Sequence, residues 1–316
     1  MAREIPVRVG ETREFRIERL GVHAEGVARA EGFTVFVQGA LPQEKIRARV
    51  ETVKKTYASA VLTEILEASP EREEPRCPVY ASCGGCQLQH LSYEAQLREK
   101  RRQVEDAVRH IGGLEGIRIF PTIGGNPWAY RNKMQFPVGR AGAKTVIGCF
   151  AQGSHKIVDT ECCQIQHRTN NGIMNAMRDA VRKLGIPVYD EDRHRGVLRH
   201  IVGRVGADGN AMAVIVTARH ELPRAKELVR ALREHVPRLV SVQQNVQTYR
   251  NNVILGRETN LLWGKSTILD KIGEYGAGGG VVWKSARIRG LARRRDGNRR
   301  ILRNRYDHAL SGTQGT

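Results

Sequence analysis

The first part of the chain is dominated by short segments in which apolar and polar residues alternate. A period of two residues is typical of half-buried strands, and polar turns separate these segments. The segments begin at Glu14, Gly26, Phe33, Glu44 and Ala58. Five short strands between residues 8 and 66 favour a small closed β-barrel.

A helical pattern follows the barrel. Ser92 is a suitable N-cap, and Gly112 and Gly113 are suitable terminators of the helix. Between them the apolar residues recur near helical spacing, at Leu97, Val104, Val108 and Ile111. The sequence therefore predicts one helix across this stretch.

From residue 117 to residue 275, strand and helix patterns alternate. The predicted strands are Lys133–Val138, Thr145–Phe150, Leu198–Val205, Ala211–Thr217, Val240–Asn245 and Asn252–Leu255. Helices are predicted near residues 170–184 and 222–235. This order indicates an α+β class with a mostly antiparallel sheet.

The predicted organisation has five parts. They are a small β-barrel (1–68), a cysteine loop (69–92), a helix (93–113), a mixed α/β central domain (114–275) and a basic tail (276–316). The tail holds ten Lys or Arg against two Asp and shows no apolar period. We interpret it as disordered or as the product of a shifted reading frame.

Composition points to a polyanionic partner. The chain has a net charge of +19 over 316 residues, and +11 remains without the tail. A strongly basic balance is typical of proteins that bind nucleic acid, although a merely solvated basic surface is the competing interpretation. No apolar run is long enough for a transmembrane helix and no signal sequence stands out, so we expect a cytoplasmic protein with no membrane partner.

Three cysteines lie close together in the sequence, at Cys77, Cys83 and Cys86, with a C-x5-C-x2-C spacing. A fourth, Cys163, lies far downstream. In the cytoplasm thiols stay reduced, so clustered cysteines indicate metal ligands rather than disulfides. Four thiolates suit either an iron–sulfur cluster or tetrahedral zinc, and ligand type alone does not decide between them.

Arg131 and Lys133 are candidates for RNA contacts. They are two residues apart, so on a strand their side chains project to one face. There they can hold phosphates or stack on unpaired bases. A solvated basic strand explains the same pattern.

Several segments, taken in order, resemble the cluster-containing RNA uridine-5-methyltransferases of the RumA type, which begin with a TRAM barrel. Cys77–Gln96 resembles the family's cluster loop and following helix, and Tyr130–Val138 resembles its Y-R-N-K-x-Q-F motif. Ile147–Asp159 with Cys163 resembles a third motif. Asn252–Gly256 and Leu261–Gly264 resemble the stretch that precedes the catalytic domain.

The resemblance implies a fold, a cofactor set and a substrate. It implies a TRAM, OB-like barrel and a [4Fe–4S] cluster held by Cys77, Cys83, Cys86 and Cys163. It also implies an S-adenosylmethionine-dependent monomer that methylates C5 of a uridine in 23S rRNA.

The family's S-adenosylmethionine loop and nucleophile loop have no counterpart in the sequence, and the match ends near Glu274. We therefore expect that a Rossmann-like methyltransferase domain and the S-adenosylmethionine site are absent, and we assign no catalytic residue. On this interpretation the chain is a truncated form that is inactive alone. The alternative is a non-catalytic iron–sulfur RNA-binding protein.

Overall fold

The structure is a computed structural model that describes residues 5–275 and 281–289. The chain divides into two compact units, Met1–Asn126 and Pro127–Thr316. Among the described residues, none of the helices combines the length and apolar character that a bilayer span requires.

The N-terminal unit begins with one six-stranded sheet. Its strands are β1 (Thr12–Arg16), β2 (Arg19–Leu20), β3 (Gly26–Ala30), β4 (Phe33–Gln38), β5 (Lys45–Val53) and β6 (Tyr57–Glu67). Their order across the sheet is β1-β5-β6-β4-β3-β2. All neighbours are antiparallel except β4 and β6, which are parallel.

The sheet curls because its two edges meet near Ile17. The Ile17 N–H donates to the Glu44 carbonyl and the Glu18 N–H donates to the Val27 carbonyl, both at 2.9 Å. Every second residue of the strands points inward, as the alternation predicts. The resulting core contains Phe15, Ile17, Val35, Val37, Ile46 and Val50.

A helix follows the cysteine loop in the same unit. Helix α1 (Tyr93–Asp106) is capped by Ser92, whose hydroxyl accepts from the Ala95 N–H at 3.4 Å. The helix continues as a π-helical turn, Ala107–Ile111, and ends at Gly112. The predicted cap and terminator are therefore both observed. A small cluster of Leu20, Leu41, Leu91 and Ala95 packs the helix start against the barrel.

The C-terminal unit is built on a seven-stranded sheet. Its strands are β7 (Lys133–Ala141), β8 (Lys144–Phe150), β9 (Ile157–Asp159), β10 (Leu198–Val205), β11 (Ala211–Thr217), β12 (Leu239–Val246) and β13 (Glu258–Gly264). The order is β13-β12-β11-β10-β7-β8-β9. Because β11 and β12 are parallel, the sheet is mixed rather than wholly antiparallel.

Two helices cover the core of this sheet, α2 (Arg168–Leu184) and α3 (Ala225–His235). Helix α2 contributes Ile173, Met174 and Met177, which are fully buried. Helix α2 ends at Gly185, which adopts the left-handed conformation that a glycine tolerates. Predicted strand Asn252–Leu255 is a loop, and β13 lies a few residues later.

A two-stranded sheet ends the described chain. It pairs β14 (Thr267–Tyr275) with β15 (Val281–Arg289), antiparallel. Strand β15 falls within the predicted basic tail. The rest of that tail, residues 276–280 and 290–316, lies outside the described residues.

Candidate functional site

The cysteine loop of the N-terminal unit is a series of tight turns. The Tyr80 N–H donates to the Cys77 carbonyl at 3.0 Å, and the Cys83 N–H donates to the Val79 carbonyl at 2.9 Å. The Gly85 N–H points at the Cys83 sulfur at 3.4 Å. An N–H directed at sulfur stabilises a thiolate, which is the form that binds metals.

Tyr80 and His90 hold the two ends of this loop together. The Tyr80 hydroxyl lies 2.5 Å from His90 Nδ1 and donates to the Gln87 carbonyl at 2.8 Å. Burial, and then the nearby Arg72 charge, lower the pKa of His90 to about 4. Burial, and then the negative charge of Cys86, raise the pKa of Tyr80 to about 12. Both groups are therefore neutral at physiological pH, and they support the loop rather than react.

All six cysteines are present as thiols rather than disulfides. Within the part of the chain that the structure describes, no three His, Cys, Asp or Glu side chains are grouped so that they could hold a metal ion. The cluster and its cysteine ligands therefore stay a prediction from the sequence, and we route no chemical step through them.

The fourth predicted ligand, Cys163, belongs to the C-terminal unit. Its N–H donates to Asn171 Oδ1 at 3.0 Å, and its carbonyl accepts from Asn171 Nδ2 at 3.1 Å. Its neighbour Cys162 is exposed, whereas Cys149 packs against the apolar core as a small apolar residue. Whether Cys163 is a ligand stays a prediction.

Asp159 organises the segment that leads to Cys163. It accepts from the Ile147 N–H at 3.0 Å, from Lys144 Nζ at 2.8 Å and from Arg178 at 3.0 Å. Burial alone would raise the pKa of Asp159, but these hydrogen bonds and the Arg178 charge outweigh it and hold the pKa below its usual value. The aspartate of the Ile147–Asp159 motif therefore has a structural role.

Arg131 and Lys133 lie at the start of β7, and the structure adds a third cation to them. Lys133 pairs with Arg204 across β7 and β10. Burial lowers the pKa of Lys133, and the positive charges of Arg204 and Arg131 lower it further. The neighbouring positive charges of Arg131 and Lys133 favour an anionic ligand such as RNA phosphate.

Sequence reasoning missed Arg204. It lies more than sixty residues from Lys133, and only the β7–β10 register brings the two together. Its guanidinium lies 3.8 Å from the Asp270 carboxylate, and both side chains are largely buried. Arg131 itself is exposed.

Basic residues on the outer face of the barrel are partly neutralised. Arg47 forms ion pairs with Glu64 and Glu14, and Arg49 lies 3.5 Å from Glu51. Lys54 and Lys55 remain exposed in the turn between β5 and β6. Of these four cations, Lys54 and Lys55 therefore remain available to phosphates.

The N-terminal sheet matches a known domain family. Residues 6–63 match the TRAM domain family, which covers the six-stranded sheet almost completely. The N-terminal unit thus contains a TRAM domain, as the sequence predicts.

The chain is also similar to larger bacterial proteins. It is 43% identical over 273 residues to a protein of Halalkalibacterium halodurans named as an uncharacterized RNA methyltransferase, and this match covers 86% of the chain. A protein of the same name from Clostridium tetani is 39% identical over 277 residues, or 87% of the chain. The chain spans about 60% of the length of these two relatives.

A solved structure shares the fold. The Pyrococcus abyssi tRNA (uracil-54, C5)-methyltransferase, in complex with S-adenosyl-L-homocysteine, superposes with a TM-score of 0.60 at 24% identity. The match covers 81% of this chain and 56% of that one. At this identity the likeness concerns the fold alone.

These matches contradict two predictions from the sequence, namely the fold class without a Rossmann-like methyltransferase domain and the function of a truncated, inactive form. Relatives named as RNA methyltransferases match 86% of the chain, and a methyltransferase fold matches 81% of it. The predictions were wrong because they rested on two missing loop motifs, whereas likeness of fold is carried by the whole pattern of strands and helices. The predicted absence of the S-adenosylmethionine site loses its support with them.

Proposed function

We propose that the protein is an S-adenosylmethionine-dependent RNA methyltransferase that acts on C5 of uridine. The observation that carries this proposal is the 43% identity, over 86% of the chain, to a relative named as an RNA methyltransferase. The TRAM domain supports RNA as the substrate class. The fold shared with an enzyme that methylates uracil C5 supports the choice of base and atom.

S-adenosylmethionine would supply the methyl group as an electrophilic sulfonium. The described residues contribute to the handling of RNA. A base inside a stacked helix is hidden, so the target uridine must be unstacked and held by its phosphates and neighbouring bases. We assign no catalytic residue among the described residues.

Arg131 and Lys133 are suited to hold such phosphates, whereas the charge of Arg204 is already balanced by Asp270. Arg131 is exposed, and Lys133 is half-buried beside Arg204. A partly desolvated cation gains more from an incoming phosphate than an exposed one, because water screens the attraction less. These residues are therefore our candidates for positioning the RNA backbone.

We propose 23S rRNA as the particular substrate, with the protein acting as a monomer in the cytoplasm. The motifs at Tyr130–Val138 and Ile147–Asp159 support this choice, since they resemble those of rRNA enzymes. The fold neighbour acts on tRNA, so tRNA is the alternative that an experiment must separate.

We propose also that Cys77, Cys83 and Cys86 ligate a [4Fe–4S] cluster. The cysteine spacing and the N–H directed at Cys83 support this. Iron and acid-labile sulfide, assayed in anaerobically purified protein, test the proposal, with Cys83→Ser as the variant and exposed Cys162→Ser as the control. Zinc in place of iron, or equal iron in the Cys83→Ser variant, would contradict it.

The methyltransferase proposal is tested by deleting the gene in its host. Nucleosides from purified 23S rRNA and tRNA are then compared by mass spectrometry with those of the parent strain. The proposal predicts loss of 5-methyluridine from 23S rRNA and none from tRNA. Loss from tRNA alone would contradict the choice of substrate, and no loss from either RNA would contradict the activity.

A further inference from the structure

The outer face of the TRAM sheet has two unlike halves. In the half formed by β1, β5 and the C-terminal end of β6, opposite charges face each other across neighbouring strands. The ion pairs are Arg16 with Glu67, Lys45 with Glu14, and Arg47 with both Glu14 and Glu64. These compensated charges give little reason to attract a polyanion.

The other half carries an aromatic pair. Strands β4 and β6 run parallel, and the side chains that alternate outward from them include Phe36 and Tyr57. Their ring centroids are 5.6 Å apart with the planes at 71°, an edge-to-face contact. Tyr57 remains 40% exposed. Because Phe36 supports its ring, Tyr57 is held in place on the surface.

The strand residues that follow Tyr57 on this face are small and uncharged. On the same face of β6, Ser59 lies next to Tyr57 and exchanges a hydrogen bond of 2.6 Å with Thr52 of β5. Val61 follows two residues later and is 40% exposed. The exposed part of the Tyr57 ring gives a planar group a surface to stack on.

Two cations lie in the turn next to Tyr57. Lys54 and Lys55 form the turn that precedes Tyr57, and the Lys54 N–H donates to the Tyr57 carbonyl at 2.8 Å. Both lysines are exposed. Among the described residues neither has a carboxylate within ion-pair distance, in contrast to the arginines of the other half.

We propose that Phe36, Tyr57, Lys54 and Lys55 form a platform for unpaired nucleotides of the RNA, with one base stacked on Tyr57 and the adjoining phosphates held by the lysines. The inference rests on the proposed function, since it specifies how the RNA is held. An aromatic face beside uncompensated positive charge complements a base and its phosphates. A protein partner would more readily use a larger apolar patch than this pair and one valine provide.

The test is equilibrium binding of the complete chain to a fluorescein-labelled oligouridylate of about 12 nucleotides, measured by anisotropy over a range of salt concentrations. Tyr57→Ala is expected to weaken binding about tenfold, because one base loses its stacking surface. Its salt dependence should stay unchanged, since no phosphate contact is lost. Tyr57→Phe retains the ring and should bind within about twofold of the wild type.

Replacement of the two lysines should change the salt dependence of RNA binding. A Lys54→Gln, Lys55→Gln double variant should lower the slope of log affinity against log salt by about 1.4, that is about 0.7 for each phosphate contact. Arg47→Gln is the matched control, because Arg47 lies on the same face but is already ion-paired. Its slope should be that of the wild type.

Tyr57→Leu keeps apolar area against Phe36 but lacks a π face, so it replaces Tyr57→Ala if that variant unfolds, with the same loss expected. Equal binding by the wild type and by the alanine or leucine variant would overturn the platform and leave the proposed function standing. Failure of the wild type to bind any RNA in a salt-sensitive way, including 23S rRNA fragments, would overturn RNA recognition itself.

Discussion

Arg72 makes a bidentate ion pair with Glu44 inside the N-terminal unit. Arg72 Nε lies 2.5 Å from Glu44 Oε1, and Arg72 Nη2 lies 2.9 Å from Oε2. The Glu44 side chain has no exposed surface. It also accepts from the Leu41 N–H at 2.8 Å, so one buried carboxylate joins a barrel turn to the segment that leads into the cysteine loop.

Replacement of Glu44 should destabilise the protein strongly. Glu44→Ala leaves the Arg72 guanidinium and the Leu41 N–H without their acceptor in a poorly hydrated site, at a cost of about 3–5 kcal/mol. Urea unfolding measures this loss. Glu64→Ala is the control, since it removes a carboxylate that is about half exposed, and should cost under about 1 kcal/mol. Equal losses in the two variants would contradict the account.

Asp159 should contribute more than an ordinary surface acid. Asp159→Ala removes the acceptor for Ile147, Lys144 and the largely buried Arg178, and we expect a loss of about 2–4 kcal/mol in the free energy of unfolding. Asp179→Ala, which breaks an exposed pair with Arg182, should cost about 0.5 kcal/mol or less. Asp159→Ala should also speed hydrogen exchange at the Ile147 amide, and Asp179→Ala should not. An unaltered amide would argue against this network.

His200 should make stability fall in mild acid. Burial, and then the Arg199 charge, lower the pKa of His200 from 6.5 to about 4, while Glu191 opposes the shift. The unfolded chain therefore takes up the proton first. His200 therefore costs no free energy of unfolding above about pH 6.5. The loss of folded-state stability grows as the pH falls towards about 4, and it reaches about 3 kcal/mol below that.

Comparison with a His200→Leu variant isolates this effect from other titrating groups. Urea unfolding of both proteins at about pH 7.5 and about pH 4.5 should show a smaller acid loss in the variant, by about 2–3 kcal/mol. The same loss in both proteins would mean that His200 is not held neutral in the folded state.

Arg131 should account for part of the salt dependence of RNA binding. Arg131→Gln removes one exposed charge beside Lys133, so the slope of log affinity against log salt should fall by about 0.7 to 0.9. Arg182→Gln removes a charge that is already paired with Asp179 and serves as the control. A slope that changes equally in both variants would indicate a general effect of net charge rather than a site at the start of β7.

The sequence predicted elements better than their arrangement. Strands β10 and β11 lie where their patterns place them, because each is rich in β-branched and other apolar residues and has clear ends. The parallel pairing of β11 with β12 was not predictable, since no local pattern records which strands become neighbours. Asn252–Leu255 looked like a strand from its apolar residues, but it forms a loop from which Val253 hydrogen-bonds to Gln247.

In the candidate sites, too, residues close together in the sequence were predicted and residues brought together by strand pairing were missed. The Cys77–Cys86 spacing and the Arg131–Lys133 pair were visible in the sequence because their members lie close together along the chain. Arg204 and Phe36 were missed because they join Lys133 and Tyr57 only through strand pairing. The ion pairs of Arg47 and Arg49 could not be read from the sequence, because the acidic residues opposite them come from other strands or from further along the same strand.

The central claim is methyl transfer to a uridine of 23S rRNA. Its most direct test uses rRNA and tRNA from the gene-deletion strain, S-adenosylmethionine labelled in its methyl group, and protein expressed from the complete gene. The account predicts label in 23S rRNA alone, recovered as 5-methyluridine after digestion to nucleosides. Absence of label from both RNAs, or label in a different nucleoside, would contradict it.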